Sequence, residues 1–537
     1  MSLLLTVLFL HSTSVTAEYI NSIYKEGDWV SFTDLSLVNS LDLDHRVLYA
    51  GTSGGVLRYN YVERKWETPL TTSDGLPNGD VLVVAFDPER GDLWCGTRAG
   101  LGVYNVDLKS WRVYGGAQGL GLGEILEIVI GMGDNSSYVY VKTPGTWNRF
   151  RKGSDFPERI SAGSVPRVEG VKRRGAIDPS VYNSDRYPFL NFKTDPDEHL
   201  RTFVVTSVVE DGWGNLWVGT AGGGIYSVSM TSHVWKNHRF GLVSRSVTAI
   251  EKNGDSIWFG GGDLFSPGGG GLTVMSRDMN EWEYHEQEYT RELGRSEIND
   301  LKTTGKDVWV ASSVGLVRYD TASDKWSRFR RRNGLPHDHV LCLDSQGEML
   351  WAGTRTGAVR VDTDSLTFSH LSGLPPITEV QAIEVTNDRV WVGTNVGLFF
   401  TKPDSLKARS SGMFGRVLTA DIRDLSYWRG SLFIATTRGL YRYDETDDRM
   451  VSDPHPGSVT GVRLLSIAAD SLNLWIGTDT GVERFKKDTG NWVSYRPGNY
   501  DLLSSPVTDI LIDGSYVWFA TPEGCTRFYW DEPFRSR

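Results

Sequence analysis

Short runs of consecutive apolar residues recur along the whole chain, separated by Gly, Asp, Asn and Pro. The commonest run is Leu-Trp-Val-Gly-Thr or a close variant, usually followed by two variable residues and then Gly. Runs of this length that are rich in β-branched and aromatic residues and bounded by turn formers predict strands. The eleven runs start at Leu48, Leu93, Val139, Leu216, Ile257, Val308, Leu350, Val390, Leu432, Leu474 and Val517. The last six starts lie 40 to 43 residues apart, a period typical of propeller blades.

The residues between the runs complete a four-stranded unit, whose strands we letter A to D from the inside out. The apolar run is strand B, and strand C often reads Leu-x-Arg-Tyr-Asp, as at residues 316–320. Strand D carries a Trp, and strand A is rich in Val and Ile. Because a blade packs between two neighbours, strand B can be apolar at consecutive positions. Eight of the 19 Trp lie on strand B and seven on strand D, so we interpret these as packing residues.

These units predict an all-β protein, a β-propeller of four-stranded blades with about 11–12 blades in two rings, since one ring holds four to eight. The first strand, residues 29–32, is of type D, whereas the last unit lacks a strand D. A ring that takes its first strand into its last blade removes exposed sheet edges. We therefore expect residues 29–32 beside residues 525–529 or beside residues 271–276. We place a first propeller at 18–280 and a second at 281–537, and a nested arrangement would close equally well.

Two segments of the first half interrupt the repeat. One is an insertion at about residues 151–200 that contains a basic run of Arg167, Lys172, Arg173 and Arg174. The other is a Gly-rich turn at residues 260–271. Long irregular segments on a rigid β scaffold often carry function. A solvated excursion or a decayed blade is an equally good interpretation of the insertion.

Composition and the N-terminus bear on location and partners. The formal net charge is −11 and no basic stripe runs along the chain, so nucleic acid is not an expected partner. An apolar stretch at residues 3–10 precedes Val15-Thr16-Ala17, which predicts a signal peptide at residues 1–17. No later segment has the 18 or so apolar residues that span a bilayer. We expect an exported protein, periplasmic or extracellular and not membrane-spanning.

Motifs with catalytic or metal-binding chemistry are scarce. His337-Asp338-His339 lacks a third ligand at readable spacing, and Asp-Gly-Trp-Gly-Asn at residues 211–215 consists of turn formers rather than a calcium loop. Three cysteines in different units form no disulfide framework or zinc site, which predicts buried thiols. We expect no catalytic residues, no metal and no cofactor. The alternative is a glycan-active lyase or hydrolase whose catalytic residues are scattered along the chain.

The unit Leu-Trp-Val-Gly-Thr-x-x-Gly-Leu-x-Arg-Tyr-Asp, preceded at residues 211–215 by Asp-Gly-Trp-Gly-Asn, resembles the two-component regulator propeller repeat. That repeat builds the extracellular sensor halves of bacterial hybrid kinases, commonly as paired propellers. The opening at residues 29–60 is also similar to the propeller component of the type IX secretion machinery. The resemblance covers almost the whole chain after residue 17. Because no kinase or DNA-binding domain follows the last blade, we expect this protein to act as a stand-alone module.

A binding surface is predicted where the repeat varies. D–A loops and B–C turns emerge on one face of a propeller, and their residues differ between blades in charge and size, which favours recognition over scaffolding. The candidate contacts are Asn78, Arg98, Arg245, His337, Asp338, Arg355, Asn395, Arg438 and Asp479. Among them Arg98, Arg355 and Arg438 are the expected charged contacts. We expect a non-catalytic binding, assembly or ligand-sensing module whose partner is an envelope protein or a glycan ligand.

Overall fold

The structure is a computed structural model that describes most of the chain after the expected signal peptide. The described residues are 18–19, 28–116, 119–120, 123–133, 136–154, 156–166, 171–175, 187, 193–262, 270–410, 420–452, 461–498 and 502–531. The signal peptide, Arg167 and residues 263–269 of the Gly-rich turn lie outside them. None of the helices in this described part has the length and apolarity that a membrane crossing needs. The protein is all-β, as predicted, and its described part includes the 3-10 turns Thr72–Asp74, Ala162–Ser164 and Arg331–Asn333.

The chain divides into two compact units that interleave along the sequence. The first contains Met1–Ser22, Ser36–Arg64 and Gly75–His238, and the second contains Ile23–Leu35, Lys65–Asp74 and Arg239–Arg537. The boundary that we expected between residues 280 and 281 does not coincide with these bounds. It falls between Gly270–Ser276 and Trp282–Glu286, which are neighbouring strands of one sheet. Residues 239–280 therefore belong to the second unit, because strand D of a blade follows strand C of the same sheet.

Four antiparallel sheets make up the described part of the first unit. Sheet 1 contains Val38–Leu43, Val47–Thr52 and Val56–Asn60. Sheet 2 contains Val81–Asp87, Asp92–Thr97, Gly100–Asn105 and Ser110–Tyr114, with Glu18–Tyr19 beside the last strand. Sheet 3 contains Glu127–Gly131, Tyr138–Thr143, Thr146–Arg151, Pro157–Ile160 and Val171–Gly175. Sheet 4 contains Val205–Glu210, Asn215–Thr220, Ile225–Ser229 and Trp235–His238.

The insertion at residues 151–200 contributes two strands to sheet 3. Pro157–Ile160 forms the outer strand, and Val171–Gly175 pairs with strand A. The basic run is partly internal: Lys172 Nζ lies 2.5 Å and Arg174 Nη2 2.8 Å from the carboxylate of Asp42, which is fully buried. Burial lowers the pKa of Lys172, and the nearby Asp42 carboxylate opposes that shift. These two basic residues thus neutralise a buried carboxylate, a structural role rather than a surface patch.

The second unit contains seven antiparallel sheets among its described residues. Sheet 5 contains Ala249–Asn253, Ser256–Gly262, Gly270–Ser276 and Trp282–Glu286. Sheet 6 contains Ile298–Thr304, Asp307–Ser312, Gly315–Asp320 and Lys325–Phe329. Sheet 7 contains Val340–Gln346, Met349–Thr354, Gly357–Asp362 and Thr367–His370. Sheets 8 and 9 are Val380–Val385, Val390–Thr394 and Gly397–Thr401; and Ile422–Trp428, Ser431–Thr436, Gly439–Asp444 and Arg449–Ser452. Sheets 10 and 11 are Leu464–Ala469, Asn473–Thr478, Gly481–Lys486 and Asn491–Tyr495; and Asp509–Asp513, Tyr516–Thr521 and Gly524–Tyr529. The short strand Lys65–Trp66 also falls within the bounds of this unit.

The seven sheets close into a ring through the first strand of the unit. Trp29–Phe32 pairs antiparallel with Gly524–Tyr529 and becomes strand D of sheet 11, one of the two positions that the sequence predicted. Strand A of each sheet contacts strand A of the next, and Asp509–Asp513 contacts Ala249–Asn253. The second unit is thus a seven-bladed propeller, closed by the pairing of its first strand with its last blade.

Side chains on strand A connect each blade to the next. In sheets 6, 7, 9 and 11 an Asp carboxylate accepts the backbone N–H of a residue on the neighbouring strand A, at donor–acceptor distances of 2.6 to 2.7 Å. The pairs are Asp300 with Leu343, Asp344 with Val385, Asp424 with Ile467, and Asp509 with Ile250. Glu251 and Glu384 accept from Thr303 and Tyr427 in the same way. Six of the seven junctions of this ring are therefore bridged by a carboxylate in the described residues.

Strands B and C carry a cross-strand pair that explains the Arg of the repeat. In four sheets of the second unit a Trp of strand B stands directly opposite an Arg of strand C, as in Trp475 and Arg484. The guanidinium carbon of Arg484 lies 4.8 Å from the Trp475 ring centroid, and its Nε donates to Asn473 Oδ1 at 2.7 Å. The other pairs are Trp309 with Arg318, Trp351 with Arg360, and Trp518 with Arg527. In sheets 6 and 10 the Arg lies over the indole ring and also contacts the first residue of strand B, which is Asp307 or Asn473.

Removing the ring side chain that holds the closing strand should destabilise the second unit. Trp29 is buried and stacks on Phe528 with a centroid distance of 4.0 Å. We expect Trp29→Ala to lower the free energy of unfolding by about 3–5 kcal/mol, the usual cost of truncating a buried aromatic. Trp213→Ala, the same truncation at an exposed ring, should change it by no more than about 0.5 kcal/mol. Equal stability of the two variants in chemical denaturation would contradict strand closure as a source of stability.

The strand A carboxylates that bridge neighbouring blades should make the second unit less stable as the pH rises. Burial raises the pKa of Asp424 to about 7, above the value near 3.9 of an unfolded Asp. A group whose pKa is raised by folding stabilises the folded state below pH 4 and loses that contribution as the pH rises to about 7. Asp424→Asn cannot ionise, so its melting temperature relative to the wild type should be higher at pH 8 than at pH 5. The exposed control Asp364→Asn should show the same difference at both pH values.

Candidate functional site

The structure places D–A loops and B–C turns on one face of each unit. In successive sheets the first N–H of the B–C turn donates to a carbonyl oxygen of the D–A loop at 3.1 to 3.2 Å. The pairs include Arg98 with Asp80, Arg355 with His339, Asn395 with Glu379, and Asp479 with Arg463. This repeated hydrogen bond fixes the two kinds of loop side by side. We call the side that carries them the loop face.

The nine predicted contacts are divided between the units. Asn78 and Arg98 lie on the loop face of the first unit, and the other seven lie on that of the second. The seven are Arg245, His337, Asp338, Arg355, Asn395, Arg438 and Asp479. Their use as a binding site remains a prediction.

Several of these side chains have local partners. His337 Nδ1 accepts the N–H of His339 at 2.9 Å, and Asp338 Oδ1 accepts the N–H of Arg331 at 2.7 Å. Both contacts belong to the turn that follows Gly334-Leu335-Pro336. Within the described ranges, no group of three or more His, Cys, Asp or Glu is arranged to hold a metal ion.

Three arginines of the loop face, Arg98, Arg245 and Arg355, each contact a carboxylate of an adjacent blade. Arg355 Nε lies 3.9 Å from Glu379 Oε1, and Arg245 Nε donates to Glu523 Oε2 at 2.6 Å. Arg98 donates to Asp80 and, at 3.2 Å, to Glu124. Exposed pairs of this kind contribute little to stability. They leave the arginines positioned by weak contacts that a partner carboxylate could replace.

A second candidate site, which the sequence analysis did not single out, is a cleft of about 490 Å³ in the first unit. It lies between sheets 1 and 4, beside the turn that follows strand C of sheet 1 and the A–B hairpin of sheet 4. Its lining residues are Tyr59, Tyr61, Val62, Arg64, Asp211, Trp213, Asn215, Trp217, Ser227, Lys236 and His238. We call it the aromatic cleft. Pockets of this size commonly hold small molecules.

The aromatic cleft occurs where sheet 4 departs from the repeat. Ser227 stands opposite Trp217 at the strand C position that Arg occupies in four sheets of the second unit. The short Ser side chain leaves the indole of Trp217 and the adjacent Asn215 uncovered by an Arg. Both this substitution and Trp213, a Trp that lies on neither strand B nor strand D, can be read from the sequence. They are the signals that could have found the cleft.

Asp211 anchors the hairpin that forms one wall. Its Oδ1 accepts the N–H groups of Trp213 at 2.8 Å and of Asn215 at 3.0 Å, and its Oδ2 accepts Asn215 Nδ2 at 3.0 Å and the Trp217 indole N–H at 2.9 Å. The turn interpretation of residues 211–215 is therefore confirmed. With four donors on one carboxylate, Asp211 is a structural residue rather than a general base or a calcium ligand.

Three rings that pack at tilted angles form the floor of the aromatic cleft. The ring of His238 lies 5.1 Å from those of Tyr59 and Trp217, and its Nε2 is hydrogen-bonded to Ser227 Oγ at 2.8 Å. Burial, with a smaller contribution from the nearby Lys236, lowers the pKa of His238 to about 4. An imidazole with that pKa is a weak general base at neutral pH, so the Ser227–His238 pair is poorly suited to activate a nucleophile.

The architecture defines the protein as a β-propeller of two units. No protein-family model matches the chain, and no curated protein matches it. Among solved structures it is similar to PorZ, a bacterial surface component of the type IX secretion system of Porphyromonas gingivalis. The two are 12% identical, with 94% of this chain and 87% of that chain covered and a TM-score of 0.56. This likeness confirms the propeller fold that the repeat resemblance implied.

Extracellular domains of two Bacteroides thetaiotaomicron proteins, described as hybrid two-component systems, also align with the chain. The BT4673 domain is 16% identical, with 99% of this chain and 83% of that chain covered and a TM-score of 0.48. The BT3049 domain is 16% identical, with 92% and 75% covered and a TM-score of 0.45.

Removing the Asp211 carboxylate should destabilise the first unit. Asp211→Ala would leave the buried indole N–H of Trp217 without its acceptor, a loss of about 1–3 kcal/mol in the free energy of unfolding. Asp107→Ala, at an exposed position of the same unit, should cost no more than about 0.5 kcal/mol. Denaturant unfolding followed by Trp fluorescence measures both. Wild-type stability of Asp211→Ala would show that the hairpin does not depend on this carboxylate.

Proposed function

We propose that the protein is an exported, non-catalytic binding module of the bacterial envelope. It acts in the periplasm or at the cell surface, where it takes part in assembly by holding a protein partner. The loop face of the second unit is the surface that contacts this partner. Arg355 and Arg438 supply charged contacts there, and His337, Asn395 and Asp479 supply polar ones.

The observation that carries the proposal is the contrast between a constant backbone and variable side chains on the loop face. The same hydrogen bond from B–C turn to D–A loop recurs in sheets 7, 8 and 10, yet the turn residue that donates it is Arg355, Asn395 or Asp479. A rigid ring that presents different side chains from equivalent positions suits recognition of one asymmetric partner. The exposed Arg–carboxylate pairs fit this role, since rim charges steer association and set orientation.

The likeness to PorZ supports assembly over sensing as the role. PorZ is a surface component of a secretion system, and its fold matches this chain over most of both lengths. Arginine is enriched at protein interfaces, and the carboxylates that now pair with the loop-face arginines show the chemistry that a partner would supply. We infer that the partner presents acidic residues to this surface.

Charge removal on the loop face should weaken partner capture in the native envelope. We expect Arg355→Ala/Arg438→Ala to fold normally but to lose most of the crosslink to its partner, measured by crosslinking and mass spectrometry in intact cells. Arg277→Ala is a matched control, because Arg277 lies in a C–D turn on the opposite side of the same unit. Its side chain is 53% exposed and lies 3.8 Å from Asp513, and that of Arg355 is 53% exposed and lies 3.9 Å from Glu379.

Two outcomes would contradict the proposal. Equal crosslinking of the double variant and the wild type would place the partner elsewhere on the molecule. Turnover of a polysaccharide by the purified protein would show that the module is an enzyme rather than a binder.

A further inference from the structure

We propose that the aromatic cleft of the first unit is a binding site for a small organic acid whose carboxylate is carried by a ring, aromatic or sugar, that can stack on an indole. This site goes beyond the proposed function, because it belongs to the first unit and uses none of the loop-face residues of the second. The inference combines an exposed indole, two cations without carboxylate partners, and a gap in the repeat.

Trp213 supplies a ring surface that the fold itself does not use. Its side chain is 74% exposed at the tip of the A–B hairpin of sheet 4. Other tryptophans of the repeat are buried against neighbouring blades, as Trp217, Trp309 and Trp475 are. The hairpin is nonetheless held firmly, since Asp211 accepts the Trp213 N–H. A fixed, exposed indole offers a planar apolar surface on which another ring can stack.

Arg64 and Lys236 give the cleft a positive rim. Both side chains are exposed and line the cleft, and within the described residues neither forms an ion pair with a carboxylate. Arg98, Arg245 and Arg355, which are also exposed, each have an acidic neighbour. Asp211, the carboxylate in the lining, is already occupied by four donors. An anionic group is therefore the complement that the rim lacks.

Ser227 creates the room for a ligand. In sheet 10 the space beside the strand B indole is filled by Arg484, whose guanidinium reaches the first residue of strand B. In sheet 4 the corresponding positions are Ser227 and Asn215, and both line the cleft. The loss of this Arg removes a cation from the floor of the cleft, where Ser227, His238 and the buried Trp217 form the lining instead. The cleft is thus a local exception to the repeat, placed beside the exposed Trp213.

The dimensions favour a small molecule over an extended chain. A volume of about 490 Å³ lies within the range of small-ligand pockets. The lining comes from one junction between two sheets, so the cleft holds one or two rings. A ligand whose ring stacks on Trp213 and whose carboxylate lies between Arg64 and Lys236 uses both the exposed indole and the positive rim. Aromatic acids and sugar acids share this chemistry.

Calorimetric titration of the purified protein tests the site with both sources of the chemistry. The probes are 4-hydroxyphenylacetate and glucuronate, each with a neutral counterpart, 4-hydroxyphenylethanol and glucose. We expect at least one acid to bind at least about tenfold more tightly than its neutral counterpart. The identity of the acid that binds distinguishes an aromatic from a sugar ligand.

Three variants locate the binding. Trp213→Ala and Arg64→Ala/Lys236→Ala should each weaken the affinity at least about tenfold. Ser227→Arg restores the residue of the repeat, and it should abolish binding by filling the cleft. Lys142→Ala, an exposed Lys of the same unit outside the lining, should bind as the wild type does. The loop-face variant Arg355→Ala/Arg438→Ala should also bind normally, which separates this site from the proposed partner surface.

Several results would overturn the inference. Binding of neither acid, equal binding of acids and neutral counterparts, or unchanged binding by all three cleft variants would each do so. Tighter binding of a Tyr- and Glu-containing peptide than of both acids, with the same dependence on Trp213, would show instead that the cleft docks a polypeptide.

Discussion

The hydrogen bond from a strand A carboxylate to the neighbouring strand A is the contact on which the second ring depends. Strands within a blade satisfy their own backbone groups, but the innermost strand of each blade needs a partner across the junction. Asp300, Asp344, Asp424 and Asp509 supply it. Asp300, Asp424 and Asp509 also accept the N–H of the residue that follows them. These carboxylates set the blades at a constant spacing near the axis. Their cost is a set of like charges held close together, which Lys302 partly offsets through its contact with Asp344.

The sequence predicted the blades well because their residues repeat. Leu-Trp-Val-Gly-Thr gave strand B in every sheet, and the unpaired strand at Trp29–Phe32 gave one of the two closures considered, which the structure confirms. The extent of each ring was less predictable. Equal spacing of the blades says nothing about which junctions lie within a ring, so Trp282–Glu286 was assigned to a different ring from the sheet it completes. The insertion was equally ambiguous, because its strands pair with sheet 3 through contacts that no local pattern encodes.

The candidate sites also differ in how far the repeat alone could predict them. Loop-face residues can be identified from the repeat period alone, because turns fall at fixed positions within each sequence repeat. The aromatic cleft depends on Tyr59 and Arg64, which lie more than a hundred residues from Trp213 in the sequence, and such pairs meet only in the folded unit. What the sequence does contain is the departure from the repeat at Ser227. In a repetitive protein, the position where one copy breaks the rule is therefore more informative than the rule.

The pairing of Trp29–Phe32 with Gly524–Tyr529 also has a consequence for how the chain is made. The Ser31 and Thr526 hydroxyls are hydrogen-bonded although 495 residues separate them, so sheet 11 cannot be completed until nearly the whole chain has emerged. During synthesis, the described strands of the first unit are all available long before the second unit can close. The N-terminal strand meanwhile remains an unpaired β edge able to pair with another chain. Chaperones that act on the growing chain are therefore expected to bind this segment.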